Sequence, residues 1–370
     1  MRLQNRAGIG LHLLPDVRVG AVRMMAVLPE APVGGAAWQV LGERRRGTRF
    51  LQLPITSVLN SPATTGMDFW SVNPYVGCEF GCRYCYARFA HQYVVERAER
   101  RGTLTPEQVA EYRGVEGWEA FERRIFVKAG AAEVLALTLR PARLGGRAIV
   151  IGTATDPYQP AERTFRVTRA LLERMAQVHG LHVGLITKSP LVTRDIDVLR
   201  RLAERSRLTL HISFIGVDAP LVRRLEPRSP VPAVRLRALE QLVGAGLCAG
   251  VMLAPVLPGI TDDLPHLEAL MIAARDAGAH FVRAEPLRLY PAIRRRFLPA
   301  VAEHFPHLVP KYEQAFDTRG IVRRDYAAAL QRRMARLRLK WGVPSGREDG
   351  TDPRSIECPA GSVQEELPLL

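Results

Sequence analysis

Cys78-Glu79-Phe80-Gly81-Cys82-Arg83-Tyr84-Cys85 places three cysteines in one short loop, preceded by Asn73-Pro74-Tyr75-Val76-Gly77 and followed by Tyr86-Ala87-Arg88. Three thiolates at this spacing can hold three irons of a four-iron cluster and leave the fourth iron open to another ligand. Such a centre points to chemistry rather than scaffolding. A zinc site wants four N or S donors in a tetrahedron, and the nearby fourth candidate is His91, on a segment that reads as helix. A disulfide framework fits less well. The other cysteines, Cys248 and Cys358, are remote in sequence, and an odd count of five without a secretory leader argues for a reducing compartment. Cys248 opens a strand and reads as a buried core thiol.

The chain of 370 residues is ordinary for one α/β barrel, and 47% hydrophobic content supplies a large core. No apolar stretch is long enough to span a bilayer, so a soluble, cytoplasmic protein without a membrane partner is expected. The net charge of +15, mostly arginine, suits a polyanionic partner or is simply a solvated surface. Residues 1–65, rich in Pro, Gly and Arg, read as an irregular extension. From Phe69 onward short apolar runs alternate with helical stretches: Phe69 to Asn73, Ala148 to Gly152, Val183 to Thr187, Leu208 to Ser213, Val251 to Ala254 and Phe281 to Ala284. Nearly continuous apolar strands separated by helices predict a parallel sheet covered by helices. The pattern itself leaves a barrel and an open doubly wound sheet both standing.

The C-x3-C-x2-C spacing, with the aromatic Tyr84 before the third cysteine, resembles the signature of the radical S-adenosylmethionine (radical SAM) superfamily. The resemblance implies a partial (β/α)6 barrel over residues 66–305 and a 4Fe-4S cluster on Cys78, Cys82 and Cys85. It also implies that the open iron chelates the methionine moiety of SAM, and that an electron then splits the sulfonium to give a 5′-deoxyadenosyl radical. From about Asn73 to Pro291 the chain is similar to spore photoproduct lyase and its relatives, because Tyr84-Cys85-Tyr86 reproduces the tyrosines flanking that family's third cysteine. By this resemblance Tyr84 lies near the SAM adenine and Tyr86 belongs to a hydrogen-atom relay. The family's SAM contacts fall on Thr155, Asp156, Lys188 and Ser213. A lysine ammonium suits a carboxylate, and short hydroxyl and carboxylate side chains suit the ribose or the amine. The same residues also read blandly: Thr155 and Ser213 as strand-end caps, Asp156 as a turn former before Pro157, Tyr86 as a packing aromatic. One departure stands out. Thr153 occupies the position of the family's cysteine that returns a hydrogen atom, and a threonine is a poor donor beside a weak S–H bond, so direct reversal of the spore lesion is not expected.

Asp325 to Trp341 reads as an amphipathic helix within a helical segment at 306–342, its basic side either solvated or facing nucleic acid. Residues 343–370 read as an acidic, disordered tail. Its end, Gln364 to Leu370, loosely resembles peptides that dock on a bacterial sliding clamp. The expected partners are an external electron donor of flavodoxin or ferredoxin type and DNA, with DNA repair as the family's implied role. A peptide or small-metabolite substrate, and a non-catalytic nucleic-acid-binding protein with a structural metal, are the alternatives.

Overall fold

The computed structural model describes residues 38–44, 47–113 and 119–344. Eleven strands are present among them: β1 (Val40–Glu43), β2 (Arg49–Gln52), β3 (Leu59–Asn60), β4 (Trp70–Val72), β5 (Tyr75–Val76), β6 (Arg124–Val127), β7 (Ile149–Ile151), β8 (His182–Thr187), β9 (Arg207–Phe214), β10 (Ala249–Val256) and β11 (Val282–Pro286). Each of the six expected core strands is found, displaced by at most two residues at its ends.

The larger sheet has the order β11-β10-β9-β8-β7-β4-β3. From β4 through β11 every pairing is parallel, and spatial neighbours follow chain order. A doubly wound sheet reverses its order at a switch point; this one never does. With right-handed crossovers, such a succession keeps all connecting helices on one face and curls the sheet, which gives the partial barrel. β3 pairs antiparallel at the open edge. Val72, Ile149, Ile151, Leu185, Leu210, Ile212, Val251 and Leu253 form the buried core between sheet and helices.

Part of the stretch expected to be irregular is ordered. β1 and β2 form a hairpin, β2 runs parallel to β6, and β5 completes a second sheet of order β1-β2-β6-β5. Phe50, Leu51 and Leu53 are buried there, and Trp38 packs edge-on against Tyr112 and Phe126. These apolar runs are too short to show a period, and their partner β6 lies more than seventy positions away, so only the tertiary pairing makes them strands.

The C-terminal helix Arg324–Trp341 buries Leu330, Met334 and Leu337. Its basic side is partly engaged within the chain: Arg333 donates to the Asp262 carbonyl at 3.0 Å, Arg338 to the Val282 carbonyl at 2.9 Å, and Lys340 pairs with Glu268 at 2.5 Å. Those contacts favour a closing helix over a nucleic-acid face. No helix among the described residues is long and apolar enough to cross a membrane. Cys248 is half-buried, not fully buried as expected. Cys358 and the clamp-like segment Gln364 to Leu370 lie outside the described residues.

Candidate active site

β4 delivers the chain to the cysteine loop at its C-terminal end, where parallel βα folds gather their ligand groups. Gly77 turns the chain into the loop with φ +94°, and a Cβ there would meet the Phe121 carbonyl at 2.8 Å. Only glycine fits that approach. Cys78, Cys82 and Cys85 all carry free thiols. Burial first, then Asp156 and Cys82, pushes the Cys78 thiol well up, while burial and next the Glu226 carboxylate push Cys82 up to about 12. A metal centre must therefore displace protons from this loop as it binds.

The donor chemistry suits a polynuclear iron centre. Three free thiols in one short loop are a donor set that an iron–sulfur cluster can use, each cysteine holding a different iron. His91, the fourth zinc ligand considered above, is turned away. Its Nε2 donates to the Arg124 carbonyl at 3.1 Å, and its ring packs against Phe126 and Phe121.

Of the residues expected to contact SAM, two are committed to holding the loops. The Thr155 hydroxyl donates to the Gly77 carbonyl at 2.6 Å, one residue before Cys78. Gln159, to which the sequence alone assigns no role, completes that anchor. Its Nε2 donates to the Gly77 carbonyl at 3.1 Å and to Thr155 Oγ1 at 3.0 Å, and its Oε1 accepts from the Glu79 backbone N–H at 2.9 Å. Asp156 accepts from the Thr187 hydroxyl at 2.7 Å, the Lys188 N–H at 2.7 Å and the Tyr158 N–H at 2.9 Å. Its carboxylate therefore ties the end of β7 to the end of β8, as a turn former would.

Lys188, Ser213 and Tyr84 converge. The Lys188 ammonium lies 3.0 Å from Ser213 Oγ, 3.2 Å from Glu226 Oε1 and 5.7 Å from the centre of the Tyr84 ring. Ser213 Oγ donates in turn to the Ala254 carbonyl at 3.4 Å. Glu226 also accepts from the Tyr84 hydroxyl and pairs with the buried Arg235. Burial alone would raise the Glu226 pKa, but Arg235 and Lys188 outweigh it and hold the carboxyl at about 2. Neither Glu226 nor Arg235 was legible as a site residue, since nothing in their own segments marks them.

Tyr86 is 37% exposed, beside the third cysteine, and its hydroxyl donates to the Thr153 carbonyl at 2.5 Å. Thr153 Oγ1 accepts from Asn73 Nδ2 at 3.0 Å, and Asn73 Oδ1 accepts from the Ala154 N–H at 2.8 Å. Tyr86 and Thr153 thus share one corner of the site. On the outer side of the loop, Glu122 is surrounded by Arg88, Arg228 and Arg296. Burial would raise its pKa, yet these guanidinium groups, Arg88 foremost, bring it down to about 2. Arg44 pairs with Glu79 at 2.8 Å and Arg83 donates to the Arg224 carbonyl at 3.2 Å. The acids on this side are buried and paired, while Arg44, Arg223, Arg224 and Arg228 reach solvent.

Comparison with known proteins bears on the family and the fold. The chain is 30% identical over 297 residues to the uncharacterized protein Rv2578c of Mycobacterium tuberculosis, a match spanning 80% of this chain and 82% of that protein. It is 26% identical to the uncharacterized protein ORF301 of Acidianus two-tailed virus, over 60% of this chain and 67% of that one. Among solved structures, spore photoproduct lyase complexed with dinucleoside spore photoproduct superimposes with a TM-score of 0.50 at 15% identity, and a variant of that lyase with 0.51 at 16%. Each covers 74% of both chains. At such identities the likeness concerns the fold. The family model of the radical SAM superfamily matches residues 72–270, from the last residue of β4 into the helix after β10, and the chain belongs to that superfamily.

Proposed function

We propose that this radical SAM enzyme holds a 4Fe-4S cluster on Cys78, Cys82 and Cys85, cleaves SAM reductively, and acts on nucleic acid. When bound, the cluster would supply the open iron and the electron for SAM cleavage. Everything else falls to this chain's own groups. Lys188 and Ser213 form a polar pair suited to the carboxylate of the methionine moiety, and Tyr84 presents its ring beside them. Thr155 and Asp156 act one step back, fixing the loops from which Cys78 and Lys188 project. Tyr86 is the proposed hydrogen-atom carrier, because it borders the loop, reaches solvent and touches Thr153. The observation that carries the reading is the meeting of Lys188 and Ser213, from two neighbouring strand ends, over the loop that bears three free cysteines.

The electron would come from an external donor of flavodoxin or ferredoxin type, whose acidic surface complements the exposed arginines outside the cysteine loop. The net charge of +15 and the likeness of fold to a lyase crystallised with a dinucleoside support DNA as the substrate and DNA repair as the role.

Anaerobic reconstitution tests the core of this reading. A brown protein with about four irons per chain, releasing 5′-deoxyadenosine on reduction with SAM, is expected; a colourless zinc protein refutes it. Transfer of deuterium from labelled DNA into 5′-deoxyadenosine tests the substrate. Transfer from a labelled peptide instead would move the activity to another substrate class.

A further inference from the structure

Glu226 lies between the helices Ala219–Leu225 and Pro232–Gly244 and is fully buried. Three donors from three other parts of the chain meet on its two oxygens: the Tyr84 hydroxyl from the cysteine loop, the Lys188 ammonium after β8, and the Arg235 guanidinium from the following helix. Arg235, itself 1% exposed, has no freedom left, since its Nη1 donates to the Ser213 carbonyl at 2.8 Å and its Nε to the Pro230 carbonyl at 2.8 Å. The same connection touches the cysteine loop twice more. The Arg83 N–H donates to the Leu225 carbonyl at 2.9 Å, and Ser229 Oγ lies 3.6 Å from Cys82 Sγ.

One carboxylate against two cations leaves this unit with one surplus positive charge. The unit borders the cysteine loop through Tyr84 and through the connection that places Ser229 beside Cys82. Inside a protein such charges are weakly screened. A buried ion triad is also a poor stabiliser compared with apolar packing of similar volume, so stability alone is a weak reason for its presence.

We propose that Glu226 is a positioning residue that locks Tyr84, Lys188 and Arg235 into one charged unit beside Cys82, and that this unit sets the reduction potential of the metal centre on the cysteine loop. The proposal rests on the cluster reading above. One-electron reduction adds a negative charge to the centre, so nearby positive charge favours the reduced form and nearby negative charge opposes it. Glu226 then has two effects: it fixes where the cations stand, and it limits how far they raise the potential.

The test is a potentiometric titration of the reconstituted protein, followed by electron paramagnetic resonance without SAM. Glu226→Gln keeps the shape and removes the negative charge, and its potential is expected to move in the positive direction. Arg235→Gln removes a positive charge and is expected to move it in the negative direction. Glu226→Asp keeps the charge and should return the potential close to that of the unaltered protein. Should Arg235→Gln not fold, Lys188→Met removes the same unit of charge from a less buried side chain and takes its place. Shifts of the same sign for the carboxylate and cation variants, or no shift in either, overturn the proposal. An unaltered protein that takes up no iron fails at the earlier step and refutes the cluster reading itself.

Discussion

The hydroxyl of Tyr84 donates to the carboxylate of Glu226, 142 positions further along the chain. This bond joins the loop that carries the cysteines to the connection between the two helices that follow β9. Through Glu226 it reaches Lys188 and, through Lys188, Ser213. The aromatic before the third cysteine is thereby part of the same unit as two residues proposed to hold the methionine moiety.

Lys188→Met should weaken SAM binding while leaving the cysteines and their iron in place. Charge-assisted hydrogen bonds contribute about 1.5–3 kcal/mol, so the dissociation constant should rise by roughly 10- to 100-fold. Equilibrium dialysis of SAM against the iron-loaded protein measures this. Unchanged affinity with full iron content would remove Lys188 from the site.

Tyr86→Phe should separate the two halves of the reaction. The hydroxyl is lost, but the ring and its stacking on Phe89, with centroids 6.2 Å apart, are kept. Release of 5′-deoxyadenosine is expected to continue, with product per 5′-deoxyadenosine falling by about 100-fold or more, the lower end of the range for a lost proton-transferring group. Equal ratios in both proteins would sink the relay.

Gln159→Leu should loosen the cysteine loop without touching a cysteine. The substitution leaves the Glu79 N–H without its partner and withdraws a donor from the Gly77 carbonyl, both in a buried setting. The orphaned Glu79 N–H costs about 1–3 kcal/mol, while the Gly77 carbonyl keeps its bond from the Thr155 hydroxyl. A lower thermal midpoint and iron released more readily to a chelator are expected, and a midpoint equal to that of the unaltered protein would contradict the anchoring role.

Acid should destabilise the fold in two stages. Burial holds the pKa of His91 and of His211 down at about 3, against about 6.5 for an unperturbed histidine. Between these values the unfolded chain binds protons that the folded chain excludes, so stability is complete above about pH 7 and is lost as the pH falls. Glu226 and Glu122, held at about 2 by their arginines in spite of burial, add losses of the same sign below the ordinary carboxylate range of about 4.3. Thermal unfolding of the iron-free chain across pH should show a flat midpoint at neutral pH and a steady fall on acidification, made shallower by His211→Phe. A midpoint that climbs between pH 7 and 5 would reverse the assignment.

Local patterns were legible where cause and effect lie close together in the chain. The cysteine spacing marks its own loop, and the apolar runs at Ala148 to Gly152 or Leu208 to Ser213 mark their own strands, because burial on both faces selects apolar residues continuously. Thr155, Asp156, Lys188 and Ser213 were visible as polar residues at strand ends. Their division of labour was not. That Asp156 ties two loops while Lys188 and Ser213 face each other depends on which strand ends are neighbours, and that is a property of the sheet.

The sequence by itself determined the chemistry available, namely three thiols at cluster spacing, flanking tyrosines, and a threonine where a donor cysteine would stand. Tertiary structure alone decided the rest. Spatial order equal to chain order made a partial barrel of six parallel strands that would equally read as a doubly wound sheet. It also drew Gln159, Glu226 and Arg235 to the cysteine loop, although in sequence each is an ordinary polar residue of a connection or a helix. The physical reason is burial. A carboxylate or guanidinium taken out of water must find its partners inside the fold, and those partners are identified only once distant segments have been packed together.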